Sequence, residues 1–524
     1  MKTTVSLLVL VLISIYGVNS AKILGVMPVT GRSHYILVST LMRALAEKGH
    51  DVTVISCFGE KNPPKNGTYR DIVVTEGLEE MQKLAPVVNM NMFDLDKSNP
   101  FVGAIFMASM FPAMTEVMLK NENVQKLINS GEKFDVVIVE QFANDAQKAL
   151  STHFGAPLVS LSGLGANYWV NSLVGNPSPP SYIPDLMLDY SVPMTFCERV
   201  VNSIVYVFNE FLHKFYIFSK HNEIMKKYIP NAPTHISDVL YNNSIVLMNS
   251  HPSINQPVPY VPNMIDIGGF HVKPPKKLPK DLQEFLDNAK DGVIYFSMGS
   301  NLKSAELPNE KRDAILKTFS KLKEKILWKW EEDELPGKPP NVKTAKWLPQ
   351  QDILAHPNVK LFITHGGLLS TIETIYHGVP ILAIPIFGDQ KMNARSAVKS
   401  GYGVYLAYSE LNEETMTNRL NEVLNNKKYK ENVQTRSRLF HDRIVSPLDT
   451  AIYWIEYVIR HRGAPHLRVA ALDLPWYKYF LLDVIGVIAL VFLSSLLIFC
   501  YIIKLIVRKI CSKRPKKGKK TKKE

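Results

Sequence analysis

A chain of 524 residues exceeds one ordinary core and predicts two domains of about 200 residues each. With 46% hydrophobic and 21% charged residues, its composition excludes a disordered or low-complexity body. The net charge of +13 does not mark a nucleic-acid groove: between Arg508 and Glu524 ten Lys or Arg stand against one acid, which leaves the body close to neutral.

At the start, Lys2 precedes an apolar run from Val5 to Tyr16 and the small, polar Val18-Asn19-Ser20-Ala21, the layout of a secretory signal peptide over 1–20. Lys22 to Met27 then reads as a buried strand and His34 to Glu47 as a helix, ended by Gly49 before the strand Val52 to Ile55. Strand, helix and strand joined by short loops predict a right-handed parallel unit. The pattern recurs with the strand Val136 to Val139, a helix through Gln147 and Leu150, and the strand Leu158 to Leu161. A second series has strands at Val293–Phe296, Ile326–Trp328, Lys360–Ile363 and Ile381–Ile384, with helical stretches between them.

The chain is therefore expected to be α/β, with two doubly wound Rossmann-like domains facing a cleft at the carboxyl ends of their strands. The expected order is a first domain over 21–251, a Pro-rich linker over 252–280 and a second domain over 281–445. C-terminal helices and a juxtamembrane segment follow over 446–483. Val484 to Ile503 gives 20 residues without a charge, about 30 Å of helix, preceded by Trp476, Tyr477 and Tyr479 as an interfacial belt. The basic tail 504–524 follows, so the positive-inside rule places the C-terminus in the cytosol and the body in the lumen. Sequons at Asn66 and Asn242 are then glycosylation candidates. Cys57 and Cys197 are the two lumenal cysteines, either paired or free.

Two stretches depart from the α/β pattern. Seven methionines lie between Met81 and Met118, with Phe93, Phe101, Phe106 and Phe111, suiting either an adaptable apolar pocket or helix core. Phe196 to Phe218 is aromatic and amphipathic. It suits the lining of that pocket or a membrane surface, with plain core packing the expectation. Asp94-Leu95-Asp96, the only Asp-x-Asp, reads as a solvated turn.

Chemistry concentrates after the predicted strand ending at Thr364. His365-Gly366-Gly367 turns into a helix from Leu369 to Tyr376, and two glycines allow backbone N–H groups close approach to an anion at a helix N-terminus. Ser370 can add a hydrogen bond, Trp347 offers a flat face to a base, and Glu373 can accept from ribose hydroxyls. In the first domain, His34 follows the first strand, where an imidazole titrating near neutrality can take a proton from a phenol or alcohol.

Taken together, Trp347-Leu348-Pro349-Gln350, His365-Gly366-Gly367 through Glu373, and Pro385 to Gln390 closely resemble the signature of the UDP-glycosyltransferase family. Phe296-Ser297-Met298-Gly299-Ser300, Gly268-Gly269 and both hydrophobic ends extend the likeness over nearly the whole chain. The resemblance implies the GT-B arrangement, a UDP-sugar as co-substrate with no other cofactor and no metal, and small lipophilic acceptors bearing a hydroxyl. It implies that Trp347 stacks on uracil, Gln350 contacts the nucleoside and Glu373 holds the ribose. Ser300, His365 and Ser370, with the amides of Gly366 and Gly367, face the diphosphate, and Asp389 and Gln390 the sugar. His34 is the implied general base for an inverting displacement. Its acidic partner is either Glu140, in place of the family's usual Asp, or Asp145 a turn later. The Leu368-Leu369-Ser370 form is similar to insect members that use UDP-glucose. Lys520 and Lys522, fifth and third from the end, resemble a dilysine retrieval signal, implying a single-pass protein of the endoplasmic reticulum membrane. Glu140 and Leu369 also motivate the alternative of a catalytically inactive UDP-sugar-binding member. Oligomeric state leaves no mark on the sequence, so a homo-oligomer stays open.

Overall fold

The computed structural model describes residues 20–80, 92–97 and 99–512. The predicted signal peptide up to residue 19, Met81 and Met90, and the tail from residue 513 lie outside them, as do the dilysine positions. The chain forms two units, divided between Arg468 and Val469.

The first part of unit one runs β1 (Lys22–Met27), α1 (Arg32–Glu47), β2 (Asp51–Ser56), β3 (Thr68–Val73), α2 (Pro100–Lys120), β4 (Val136–Glu140), β5 (Leu158–Ser162), α3 (Phe196–Leu212), α4 (Phe218–Tyr228), β6 (Asn243–Met248) and β7 (Met264–Asp266). Its seven strands form one parallel sheet in the order β3-β2-β1-β4-β5-β6-β7. Both faces are covered, which is why the middles of β1 and β4 are continuous apolar runs rather than alternating ones. The second part runs β8 (Val293–Ser297), β9 (Lys325–Lys329), β10 (Val342–Ala345), α5 (Gln350–Leu354), β11 (Val359–Thr364), α6 (Leu368–His377), β12 (Ile381–Ala383), α7 (Gln390–Lys399), β13 (Gly403–Tyr405), α8 (Lys427–His441) and α9 (Pro447–Arg460). Its six parallel strands follow the order β10-β9-β8-β11-β12-β13. In each sheet the winding reverses at one point, between β1 and β4 and between β8 and β11, where α/β folds open a ligand crevice.

The expected two-domain α/β architecture holds, with altered boundaries. The stretch 252–280 is not all linker, because β7 pairs with β6 through Val246–Met264 and completes the first sheet. The first of the C-terminal helices expected after 446 does not stand apart from the two domains. α9, capped by Ser446 with Pro447 in its first turn, buries Ala451, Ile452, Ile455 and Val458 among Ile23, Leu41, Val52 and Ile245 of the first domain. Ile455 is fully buried there, so Ile455→Ala is expected to cost about 2–5 kcal/mol, read as a lower melting temperature of the detergent-solubilised chain.

Unit two carries α10 (Leu482–Ser512), 31 residues with none buried and an 18-residue window of mean hydropathy 2.7, long and apolar enough to cross a membrane. It runs past the predicted end at Ile503 into the basic residues Lys504, Arg508 and Lys509. Asn66 and Asn242 are exposed, as a glycosylation acceptor must be. Cys57 is buried and Cys197 exposed, and both are free, so they do not pair.

Candidate active site

Each winding reversal brings two strand ends together, and the predicted residues sit on those ends. In the first sheet, β1 and β4 are neighbours in register at Val26–Val139. His34 lies in the first turn of α1 after β1, and Glu140 is the last residue of β4. Their side chains meet: His34 Nδ1 and Glu140 Oε1 share a short hydrogen bond. Glu140 is almost fully buried, whereas the imidazole stays partly open to the cleft. Burial pulls the His34 pKa down, but the charge and hydrogen bond of Glu140, helped by the charge of Asp389, outweigh it and leave the pKa raised. With Nδ1 committed to a carboxylate, Nε2 is the nitrogen left to accept a proton.

Asp145, the other candidate partner, does not reach His34. It is fully buried in a separate cluster, 3.1 Å from Lys148 Nζ and 3.4 Å from His213 Nε2, which hold its carboxyl ionised against the cost of burial. The extra methylene of Glu140 therefore spans the gap between strand end and imidazole. Glu140→Gln is expected to lower the plateau of kcat/KM by about 10- to 100-fold, because the imidazolium loses its counter-charge. Without the Glu140 charge, the largest of the influences that raise it, the His34 pKa falls, so the acidic limb of the profile should move to lower pH. A pH–rate profile of the variant reads both effects.

Beside the imidazole is an apolar wall. Phe142 sets its ring edge-on to His34 at 4.7 Å and meets Phe111 and Trp169 at 5.0 and 6.2 Å. Met107, Met110 and Met114 of α2 pack with Phe111 and Phe142. Met118 lies instead in the main core of the first domain.

In the second sheet, β8 and β11 are paired at Ser297–Thr364, and the loops after them meet. Gly366 has φ +81, and its N–H is tied to Thr364 Oγ1 at 3.2 Å. Gly367 is the N-cap of α6 and supplies no side-chain cap, so the first N–H groups of the helix are free to meet an anion. His365 is boxed between two glycines: a Cβ on Gly299 would stand 2.4 Å from its Cε1, and one on Gly367 2.6 Å from its Nε2. Burial, and after it the charge of Lys329, pushes the His365 pKa down to about 4, keeping the ring neutral. Its Nδ1 is buried without a partner. Ser300 is exposed at the mouth of this turn. Lys329, which the sequence reading did not single out, donates to Gly299 O at 2.8 Å and to Glu331 at 2.9 Å, bracing the same loop.

Farther along α6, Gln350 Nε2 donates to Ser370 Oγ at 3.0 Å and to Glu373 Oε2 at 2.6 Å. Gln351 donates to the other oxygen of Glu373 at 3.0 Å. Burial lifts the Glu373 pKa to about 7 although both amides oppose it. Trp347 is 64% exposed, an uncommon position for an indole without a ligand to cover it. Asp389 is braced by Asn393 at 2.7 Å, and burial raises its pKa. Gln390 is buried and accepts from the N–H groups of Ile386 and Phe387, so it shapes the loop after β12 rather than reaching into open space.

The two crevices face each other. A Cβ on Gly31, in the loop before His34, would come within 3.8 Å of Asn301, just beyond Ser300. Charged pairs bridge the two domains: Lys391 to Asp96 at 3.2 Å and Arg395 to Asp189 at 2.9 Å. Asp96 is thus an ion-paired bridge, contrary to the solvated turn expected of Asp94-Leu95-Asp96.

A profile of the family described as "UDP-glucoronosyl and UDP-glucosyl transferase" matches residues 21–520. Among curated proteins, the chain is 39% identical over 502 residues to "UDP-glycosyltransferase UGT5" of Dactylopius coccus, covering 94% of this chain and 93% of that one. To "UDP-glucosyltransferase 2" of the same insect it is 36% identical over 497 residues, with the same coverage. Among solved structures, "UDP-glucose: anthocyanidin 3-O-glucosyltransferase in complex with UDP" superposes with a TM-score of 0.56 at 15% identity, covering 84% of this chain and 99% of that one.

Proposed function

The chain belongs to the UDP-glucuronosyl and UDP-glucosyl transferase family and so transfers a sugar from a UDP-sugar. On that premise we propose that it moves glucose to the hydroxyl of small lipophilic acceptors with inversion, using His34 as the general base. The observation that carries the reading is the pairing of His34 with Glu140 across from the uncapped N-terminus of α6. Nε2 of His34 takes the acceptor proton as the oxygen attacks the anomeric carbon, and Glu140 stabilises the imidazolium that forms. UDP leaves toward the α6 N-terminus, where the free amides that follow the Gly366-Gly367 turn, neutral His365, Ser300 and Ser370 meet the growing charge. Because these groups supply the stabilisation, the proposed step calls on no metal and no cofactor beyond the donor.

Trp347 is proposed to stack on uracil, Gln350 to contact the nucleoside, Glu373 to hold the ribose and Asp389 the sugar. The wall of Phe142, Phe111, Trp169 and the α2 methionines fits an apolar acceptor body. Glucose as the sugar rests on the Leu369 form and on the printed name of one insect relative. The proposed setting is the endoplasmic reticulum membrane, with α10 as the anchor and the body in the lumen. A donor competition assay on the full chain, UDP-glucose against UDP-glucuronate, UDP-galactose and UDP-N-acetylglucosamine with a phenolic acceptor, tests the reading. A preference for UDP-glucuronate would overturn the sugar. UDP binding without turnover of any donor would favour the inactive alternative.

A further inference from the structure

Core packing was the expectation for the aromatic stretch beginning at Phe196, and the structure reverses it. On α3 and the turn after it, Phe196, Val200, Ile204, Val207, Phe211 and Phe215 are all exposed, at 71%, 67% and 62% for Phe196, Phe215 and Phe211. Spaced by four or three residues, they fall within an arc of roughly 100° along about 28 Å of helix, so they form one face. The opposite face of α3 buries Val205 and is otherwise fixed by polar bonds. Asn202 accepts from Asp185 N–H and donates to Pro180 O and Ile183 O, and Asn209 donates to the Asp185 carboxylate. The helix is thus inverted relative to one that covers a soluble core, and these bonds stop it from rolling its apolar face inward. Phe101 of α2 packs edge-on against Phe208 at 5.0 Å, and α2 adds exposed Val102, Ile105 and Phe106 alongside.

We propose that this face is a lipid-docking surface on which the first domain lies in the interface of a bilayer. Two observations favour a bilayer over another occupant. The same chain carries α10, whose apolar length belongs in a membrane, so the body is tethered within reach of lipid; the inference rests on that anchor reading. The cations on the stripe are also placed as interfacial cations are. Arg199 lies over the Phe196 ring, and Lys214, between Phe211 and Phe215, is held by Glu210 at 3.0 Å, which allows long stems to lie along apolar surface with their charges outward. The surface also backs the acceptor wall, since Tyr206 of α3 packs on Tyr168, the neighbour of Trp169. An acceptor dissolved in lipid would then enter beside His34 without crossing bulk water.

The test uses the full chain reconstituted in vesicles of phosphatidylcholine and phosphatidylserine, with or without brominated acyl chains. One variant carries Phe211→Trp, and a control carries Leu439→Trp at an exposed position on α8. The expected result is that both float with the vesicles, and that brominated lipid removes the added emission of Phe211→Trp but not that of Leu439→Trp. Flotation with both tryptophans unquenched overturns the docking surface while leaving the anchor intact. Failure to float overturns the anchor and the docking together. An unquenched Phe211→Trp whose emission shifts only as protein density in the vesicle rises would assign the stripe to a second copy, and would also overturn the proposal. None of these readouts depends on sugar transfer, so they stand apart from the fate of the proposed activity.

Discussion

His34→Ala is expected to lower sugar transfer by about 10²- to 10⁴-fold while UDP binds as tightly as to the parent chain. The asymmetry follows from where the imidazole sits. It belongs to the first sheet and is held by Glu140 at the neighbouring strand end. The groups proposed for uracil, ribose and diphosphate all belong to the second. Removing the ring takes away the group that accepts the proton and leaves an uncompensated carboxylate on Glu140, which is buried with its Oε2 already unpartnered. It takes nothing from the α6 N-terminus or Trp347. Calorimetric titration with UDP, paired with a UDP-release assay, separates the two effects. Unchanged turnover would remove His34 from the mechanism, and equal losses in UDP affinity and rate would make it a structural residue.

Gly299→Ala is expected to act in the opposite way, weakening UDP by about 100-fold or more, which corresponds to about 2.7 kcal/mol. Two costs combine. The position has φ +86, which costs an L-residue about 1–2 kcal/mol. The added methyl would also stand 2.4 Å from Cε1 of His365. The ring has little room to retreat, because Gly367 borders its other side so closely that a Cβ there would stand 2.6 Å from its Nε2. Either His365 leaves its place beside the helix N-terminus or the loop after β8 shifts, dragging Gly299 O from Lys329. Both outcomes disturb the proposed diphosphate cradle, while the cores of the two sheets are untouched. A melting temperature near that of the parent alongside weak UDP binding would match this picture. Parent-like UDP affinity would show that the cradle does not need this fit.

What the sequence discloses about the fold depends on burial on both faces. β1, β4, β8 and β11 read as strands because helices cover both sides and their central positions are apolar, with polar residues confined to the ends or next to them. β3, an edge strand reading Thr-Tyr-Arg-Asp-Ile-Val, and the three-residue β7 lack that signal, and β7 hides among prolines. The donor-side residues were legible because they cluster in one local stretch around the β11 turn. The choice between Glu140 and Asp145 was not, since both follow β4 and it turns on the path of the chain after that strand, which carries Asp145 to Lys148 and His213. Nor does local pattern show that α9 belongs to the first domain, or that α3 presents its apolar side outward. An amphipathic helix looks the same in sequence whichever side it turns to the protein.

The return of α9 to the first domain has a mechanical consequence. The lobes are joined by two covalent crossings, one after β7 and one before α9. Any breathing of the cleft must therefore pivot about a line through both crossings, like a lid on paired hinges, and free twisting is denied. A chimera that exchanges the second lobe with that of a relative should accordingly be cut at both crossings. A single junction would strand a foreign 447–460 helix against the wrong partner surface.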